Sequence, residues 1–335
     1  MWLLSTSRAE LYYFVSPESV PGGYAILSHV WDPPSEQSFQ GVQALRASCA
    51  QTGLNPRDYV SDKIRECCKL AEKHGDDWLW VDTCCIDKTS STELSEAINS
   101  MFRYYSLANV CYAFLADVPT ADTATLSHEG STFRASRWHK RGWTLQELLA
   151  PAVLFFVSGT WEMLGSKAEL GDILEQITRV PPEVLLNQEN FSDTSVAQRM
   201  SWAAGRETTR PEDEAYCLMG IFGITMPALY GEGRRAFRRL QQEIMKQCVD
   251  TSLFTWSNAP PEAFPDLVRV KSLQLGGCHS GHDAHDVDTR FLANSPSDFA
   301  RAVGTRCALI DPSGLQPRTA GSRLVSIQAK YQAAA

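Results

Sequence analysis

The sequence predicts an α/β fold: a doubly wound, mostly parallel sheet with helices on both faces, followed by a helical extension. Two observations support this. Through the first 165 residues, short continuous apolar runs alternate with amphipathic helical segments. From about residue 166 onward, apolar residues recur mainly at helical spacing.

Four apolar runs predict the strands of the sheet. They share a continuous apolar character that suits strands covered on both faces. The first ends at the turn Asp32-Pro33-Pro34. The predicted strands span residues 24–31, 78–86, 110–118 and 153–157.

Helical periodicity predicts the segments between the strands. Residues 59–74 place apolar side chains along one face. Ser90 and Glu93 have the spacing of a capping box, and the apolar residues after them repeat every three or four positions. The same periodicity predicts helices in the extension over residues 168–177, 196–204, 213–222 and 233–247.

These patterns predict three parts. Residues 1–165 form the α/β domain, residues 166–250 form a helical extension packed on it, and residues 251–335 form an irregular, incomplete C-terminal segment. That last segment contains Cys278, His279, His282, Asp283, His285 and Asp286. Their spacing matches no standard zinc module, so a loop without metal is predicted.

Composition excludes several functional classes. The formal net charge of −8 argues against a broad nucleic-acid-binding surface. A local basic cluster is predicted to be a solvated helix face: Arg234, Arg235, Arg238 and Arg239. No run approaches the ~18 apolar residues of a membrane span. The ten cysteines show no CxxC spacing, which predicts buried, reduced thiols in a cytoplasmic protein.

The most informative stretch is RGWTLQELLAP, residues 141–151. On a helix, Trp143 and Glu147 are separated by four positions and share a face. A flat aromatic ring beside a carboxylate can hold a ring-bearing ligand and stabilise positive charge on it. The alternative is that Glu147 caps or pairs with a neighbouring helix while Trp143 fills the core.

Polar side chains near the ends of the first two predicted strands form a second group of candidates. Ser28, His29 and Trp31 end the first strand, and Asp82 lies in the second. Ligands of open α/β sheets bind beyond the carboxyl ends of the strands. The alternative for Asp82 is that it accepts backbone donors of a turn. The neighbouring Cys84 and Cys85 lack a clear histidine partner and are predicted to be inert packed thiols.

Several long blocks resemble the fungal heterokaryon incompatibility (HET) domain in order and spacing. They are YAILSHVW (24–31), WVDTCCIDK (80–88), ELSEAINSMFRYY (93–105) and RGWTLQELLAP (141–151). Residues 195–244 look like the helical region that follows HET domains in many mushroom-type fungal proteins, so the resemblance covers residues 1–256. It implies a role in non-self recognition and regulated cell death. One departure is Asp32, where the family usually has a glycine, and losing a glycine at a tight turn would change how closely a ligand approaches the backbone.

HET domains also resemble, distantly, Toll/interleukin-receptor (TIR) domains, some of which hydrolyse NAD. Residues 143–148 (WTLQEL) are similar to the Trp-Cys-x-x-Glu-Leu stretch that contains the catalytic glutamate of plant-type TIR domains. The resemblance implies a TIR-like, flavodoxin-like sheet and a catalytic carboxylate at Glu147. NAD would be a substrate, and no bound cofactor is expected.

In such an NAD-cleaving site, Trp143 would stack on a ring, Arg141 would bind a phosphate, and Ser28 or His29 would hydrogen-bond ribose or phosphate. The alternative hypothesis is a non-enzymatic signalling module that forms homo-oligomers through the α/β domain, with Glu147 structural. Under either hypothesis a protein partner that the sequence does not identify would activate it.

Overall fold

The computed structural model describes residues 1–33, 35–119, 126–188, 193–248, 250–256 and 292–302. The predicted loop over residues 278–286 lies outside these ranges, as does most of the predicted C-terminal segment.

Seven strands form one sheet, in the spatial order β2-β1-β4-β3-β5-β6-β7. The strands are β1 (Trp2–Ser5), β2 (Leu11–Tyr13), β3 (Ala25–His29), β4 (Trp78–Trp80), β5 (Val110–Leu115), β6 (Leu154–Ser158) and β7 (Met163–Ser166). The central run β4-β3-β5-β6 is parallel. The outer strands pair antiparallel on both sides. The α/β prediction is confirmed, with a mixed sheet around a parallel centre.

The strands that follow β3 in the chain lie on opposite sides of it, so the strand order reverses at β3. β4 follows β3 in the chain and lies on one side of it, whereas β5 lies on the other side, where Ser28 is opposite Ala113. Every residue of β3, β5 and β6 is buried, as expected for strands covered on both faces. Such a reversal opens a crevice at the carboxyl ends of the strands, where α/β proteins bind ligands.

The strand predicted over residues 78–86 ends at Trp80, so the prediction was wrong about its length. The carbonyl oxygen of Val81 accepts hydrogen bonds from the backbone N–H groups of Cys84 (3.2 Å) and Cys85 (2.8 Å). These bonds close a turn whose apolar side chains fill the core without joining the sheet. A continuous apolar run cannot distinguish these two outcomes. The turn places Asp82 just beyond the carboxyl end of β4.

Helices occupy the connections and the extension. They are α1 (Phe39–Thr52), α2 (Asp62–Lys73), α3 (Ser91–Leu107), α4 (Thr132–Ala135), α5 (Thr144–Leu149), α6 (Gly171–Thr178), α7 (Pro182–Leu185), α8 (Val196–Ser201), α9 (Asp213–Tyr216), α10 (Met219–Phe222) and α11 (Arg235–Gln247). The helix predicted over residues 213–222 is divided into α9 and α10. Helix α1 was not predicted, because it buries only Val42 and Cys49 and shows little apolar periodicity.

The cap of α3 follows half of the predicted pattern. The Ser90 side chain accepts a hydrogen bond from the backbone N–H of Glu93. The Glu93 carboxylate, however, accepts from the backbone N–H of Asp87 at 3.0 Å. This second bond ties the start of α3 to the turn that follows β4.

In the part of the chain that the structure describes, no helix has the length and apolar character needed to cross a membrane. The same residues contain no group of histidine, cysteine and acidic side chains arranged to hold a metal ion. The described cysteines are unpaired and, except for Cys248, buried, as predicted.

Candidate functional site

A cavity of about 390 Å³ lies next to the segments that follow β3 and β4. Its volume lies within the range of small-molecule sites. Both the α/β domain and the extension supply its walls. The lining residues are Trp31, Pro33, Asp82, Ile86, Lys88, Leu94, Ile98, Met101, Arg141, Trp143, Glu147, Thr209, Arg210, Asp213 and Tyr230.

Glu147 lines this cavity although its side chain is nearly buried. The hydroxyl group of Ser28, at the end of β3, donates a hydrogen bond of 2.5 Å to Oε2 of Glu147. The indole N–H of Trp138 in turn donates to the Ser28 oxygen at 2.8 Å. The hydroxyl group of Tyr105 lies beside the same carboxyl group. The neutral donors therefore orient Glu147 without placing a cation in contact with it.

Two of the carboxyl groups that line the cavity, those of Glu147 and Asp82, have opposite pKa shifts. Burial, and then the charge of Asp82, raises the pKa of Glu147 to about 8. Burial alone would raise the pKa of Asp82, but the hydrogen bond and charge of His29, with Lys88 and Trp31, outweigh it and lower that pKa. At neutral pH, Asp82 is thus ionised while Glu147 largely keeps its proton, as in other acid pairs with divergent environments.

The hydrogen-bond partners of the Asp82 carboxylate are side chains and not the backbone of its turn. Its Oδ1 lies 3.0 Å from Nε2 of His29, and its Oδ2 accepts a hydrogen bond of 2.7 Å from the indole N–H of Trp31. The alternative that Asp82 serves only to accept turn donors is therefore wrong. Asp82 joins the ends of β3 and β4 at the cavity.

The extension holds the beginning of α5, the helix that carries Glu147. The guanidinium group of Arg206 donates hydrogen bonds of 2.9 Å to the carbonyl oxygen of Arg141 and to the hydroxyl of Thr144. The backbone of Glu207 bonds to Lys140 and Gly142 on the same segment. An added Cβ at Gly142 would lie 2.5 Å from the methyl carbon of Thr208, so any larger residue here would force Thr208 to shift.

A buried lysine holds the other end of α5. The ammonium group of Lys167 donates hydrogen bonds to the carbonyl oxygens of Leu148 (3.1 Å) and Pro151 (2.7 Å). Burial lowers the pKa of Lys167 to about 7. Because carbonyl groups at a helix end lack intrahelical partners, this side chain completes the C-terminus of α5.

The extension also forms one wall of the cavity. The carboxylate of Asp213 accepts a hydrogen bond of 2.9 Å from the hydroxyl of Tyr230, and it also interacts with the side chain of Trp143. The guanidinium carbon of Arg210 lies 4.6 Å from the centre of the Tyr230 ring. Trp143 is thereby fixed between the two parts of the chain.

The structure gathers the residues singled out from the sequence. Five of them line the cavity directly: Trp31, Asp82, Arg141, Trp143 and Glu147. Ser28 and His29 lie behind this wall and bond to Glu147 and Asp82, respectively.

Sequence reasoning did not assign Lys88, Arg210 or Tyr230 to the site. Lys88 closes the block WVDTCCIDK, which was a usable signal. Arg210 and Tyr230 approach only through tertiary packing and had no local signal.

Asp32 leaves the cavity-lining backbone unstrained. Among the described residues other than glycine, positive φ angles occur only at Ala9, Trp161, Arg179 and Asn187. Asp32 is exposed, and its backbone N–H donates to the Glu36 carboxylate at 2.9 Å. This backbone therefore does not need a glycine.

The chain matches two family models and a known fungal protein. Residues 24–131 match the family model of the heterokaryon incompatibility protein (HET), and residues 235–319 match a domain of unknown function, DUF8212. Vegetative incompatibility protein HET-E-1 of Podospora anserina is 44% identical over 228 residues, which make up 67% of this chain. The match spans only 16% of the length of that relative. No solved structure matches the chain.

We expect Gly142→Ala to lower the free energy of unfolding by about 1–3 kcal/mol, because its Cβ would overlap the Thr208 methyl group. Thr208→Ser removes that methyl group and retains the hydroxyl. The double variant should therefore recover most of the loss in urea denaturation. Simple additivity of the two substitutions would show that the extension does not pack on this segment.

Stability should depend on pH through Glu147. The folded pKa is about 8, above the usual value of 4.5, so only the folded state keeps the proton between these values. The stability of the wild type relative to Glu147→Gln should therefore fall by about 1.4 kcal/mol per pH unit as pH rises from 4.5 to 8. Urea denaturation across this range measures the difference. A constant difference would contradict the raised pKa.

Proposed function

The chain belongs to the fungal HET-domain family. We propose that it has a role in vegetative incompatibility, the process named in its relative. We propose further that it acts by hydrolysing NAD. The reaction would separate nicotinamide from ADP-ribose. Loss of NAD or the released product would then drive the death of incompatible cells.

One observation carries this proposal: Glu147 lines a cavity of about 390 Å³ at the carboxyl ends of parallel strands, beside the ring of Trp143. A cavity of this kind can enclose a ring and its ribose while presenting a carboxyl group to them. Burial has already raised the pKa of that group, as at many catalytic acids and bases.

The chemistry of the bond suits this environment. Cleavage of the bond between ribose C1′ and the pyridinium nitrogen sends the electron pair to the ring, which leaves as neutral nicotinamide. The ribose passes through an oxocarbenium-like transition state, and water then adds its oxygen to C1′ and releases one proton to the solvent. A nearby carboxylate stabilises that developing charge.

The proton on Glu147 has a defined part in this scheme. A substrate with a cationic ring lowers the pKa of an adjacent carboxyl group, because the positive charge favours the ionised form. Binding of NAD would therefore drive the proton from Glu147 and create the carboxylate where it is needed. Ser28 keeps its hydrogen bond in both states and maintains the orientation of the group.

A second function is favoured by a different observation. The strand β2 lies at the margin of the sheet, and its Tyr12 and Tyr13 side chains are largely exposed. Exposed strand edges pair readily with other chains. This geometry supports self-association through the α/β domain, with Glu147 structural, as the function of a signalling module.

We expect purified protein at high concentration to consume NAD and release nicotinamide. Glu147→Gln should lower this rate roughly 10²-fold to 10⁴-fold, because the amide cannot carry the compensating charge. Glu175→Gln, on the exposed surface of α6, is the matched control and should retain activity. Absence of turnover even in concentrated or crowded solution, with Glu147→Gln changing only the melting temperature, would favour the signalling module.

The pH profile gives a separate check of the role of Glu147. Because kcat/KM reports groups of the free enzyme, it should rise about tenfold per unit toward pH 8 and level off above it. This direction follows because the ionised form is the active one. A profile that falls over the same range would instead assign Glu147 as a general acid.

A further inference from the structure

Three cationic side chains line the cavity without a direct ion pair to any described carboxylate. They are Lys88 and Arg141 from the α/β domain and Arg210 from the extension. Within the described residues, none of the three forms an ion pair with a carboxylate, whereas other basic residues, such as Lys63 with Glu36, do.

The carboxyl groups of the cavity are already satisfied by other donors. Asp82 bonds to His29 and Trp31. Glu147 bonds to Ser28, and Asp213 bonds to Tyr230. The acids of the site therefore form no direct ion pair with its cations, although the charge of Lys88 acts on Asp82 and the charges of Arg141 and Arg210 act on Asp213.

Glu147 adds little negative charge at neutral pH, because burial raises its pKa to about 8. Two acids, Asp82 and Asp213, then face three cations in the lining of the cavity. The cavity consequently has an excess of positive charge in a protein whose overall formal charge is −8.

Aromatic rings position the cations at the cavity wall. The Lys88 ammonium lies 3.8 Å from the centre of the Trp31 ring, and the Arg141 guanidinium carbon lies 5.5 Å from it. Arg210 lies 4.6 Å from the centre of the Tyr230 ring. A guanidinium group packed on a ring keeps its N–H donors free to bind phosphate oxygens.

We propose that Lys88, Arg141 and Arg210 form an anion subsite that binds the diphosphate of a nucleotide substrate. The inference builds on the proposed NAD hydrolysis and adds that the helical extension completes the substrate site through Arg210. Phosphate is the fitting anion because several convergent donors can share its oxygens.

The remaining lining explains why the ligand should be a nucleotide and not a free inorganic anion. Leu94, Ile98 and Met101 from α3 form an apolar wall in the same cavity. Apolar side chains give no affinity for a small hydrated ion, but they cover the ring and ribose of a nucleotide. The cavity thus combines an apolar wall with a cationic one.

Titration calorimetry with ADP-ribose, adenosine and inorganic pyrophosphate tests this subsite without requiring turnover. Arg210→Gln should weaken ADP-ribose binding by roughly tenfold to hundredfold, as expected for loss of a charged hydrogen bond, and should leave adenosine binding unchanged. The matched control is Arg46→Gln, since Arg46 packs on the Tyr12 ring outside the cavity. Lys88→Gln tests the side of the subsite that the α/β domain supplies, and it should also weaken ADP-ribose binding.

The outcomes separate this inference from the proposed reaction. Arg210-dependent ADP-ribose binding without NAD turnover supports the subsite and removes the hydrolase. NAD turnover with an unchanged KM in Arg210→Gln would contradict the subsite and support the hydrolase. Equal ADP-ribose affinity in Arg210→Gln and Arg46→Gln, tighter binding of pyrophosphate than of ADP-ribose, or no binding of ADP-ribose by the wild type would each overturn the nucleotide subsite.

Discussion

The hydrogen bond between Ser28 and Glu147 joins the end of the central strand β3 to the short helix α5, and the candidate site is built around it. A carboxyl group removed from water must either find partners or keep its proton. Glu147 does both, since Ser28 bonds to it and its pKa lies near 8. The core thus holds Glu147 largely as a neutral acid at neutral pH.

The short length of α5 makes its position dependent on residues at its two ends. A six-residue helix has no independent stability in water. Arg206 of the extension bonds to its beginning, and Lys167, beyond β7, bonds to its end. Lys167 is buried and Arg206 is partly buried, and both side chains contact carbonyl oxygens, so they stabilise the helix termini without forming an ion pair with Glu147. Residues of the extension therefore hold both ends of α5 and fix the geometry of the carboxyl group.

The cavity belongs to neither part of the chain alone. Trp31 and Asp82 come from the segments after β3 and β4, whereas Asp213 and Tyr230 come from the extension. The shape and the charge of the site therefore depend on how the extension packs against the α/β domain.

Sequence patterns determined the alternation of strands and helices and the parallel centre of the sheet, and they singled out residues 141–151. They could do so because burial on both faces of a sheet and the amphipathic character of helices leave local signals in the sequence. Grouping Ser28 with Asp82 also followed from the sequence, since parallel strands end at one edge, whereas the family resemblance implied that Glu147 belongs to the same site. The tertiary structure alone decided that residues 81–86 form a turn, that the marginal strands β1, β2 and β7 extend the sheet, and that Arg210 and Tyr230 complete the cavity. Those features depend on contacts between residues far apart in the chain, and such contacts leave no periodicity in the sequence.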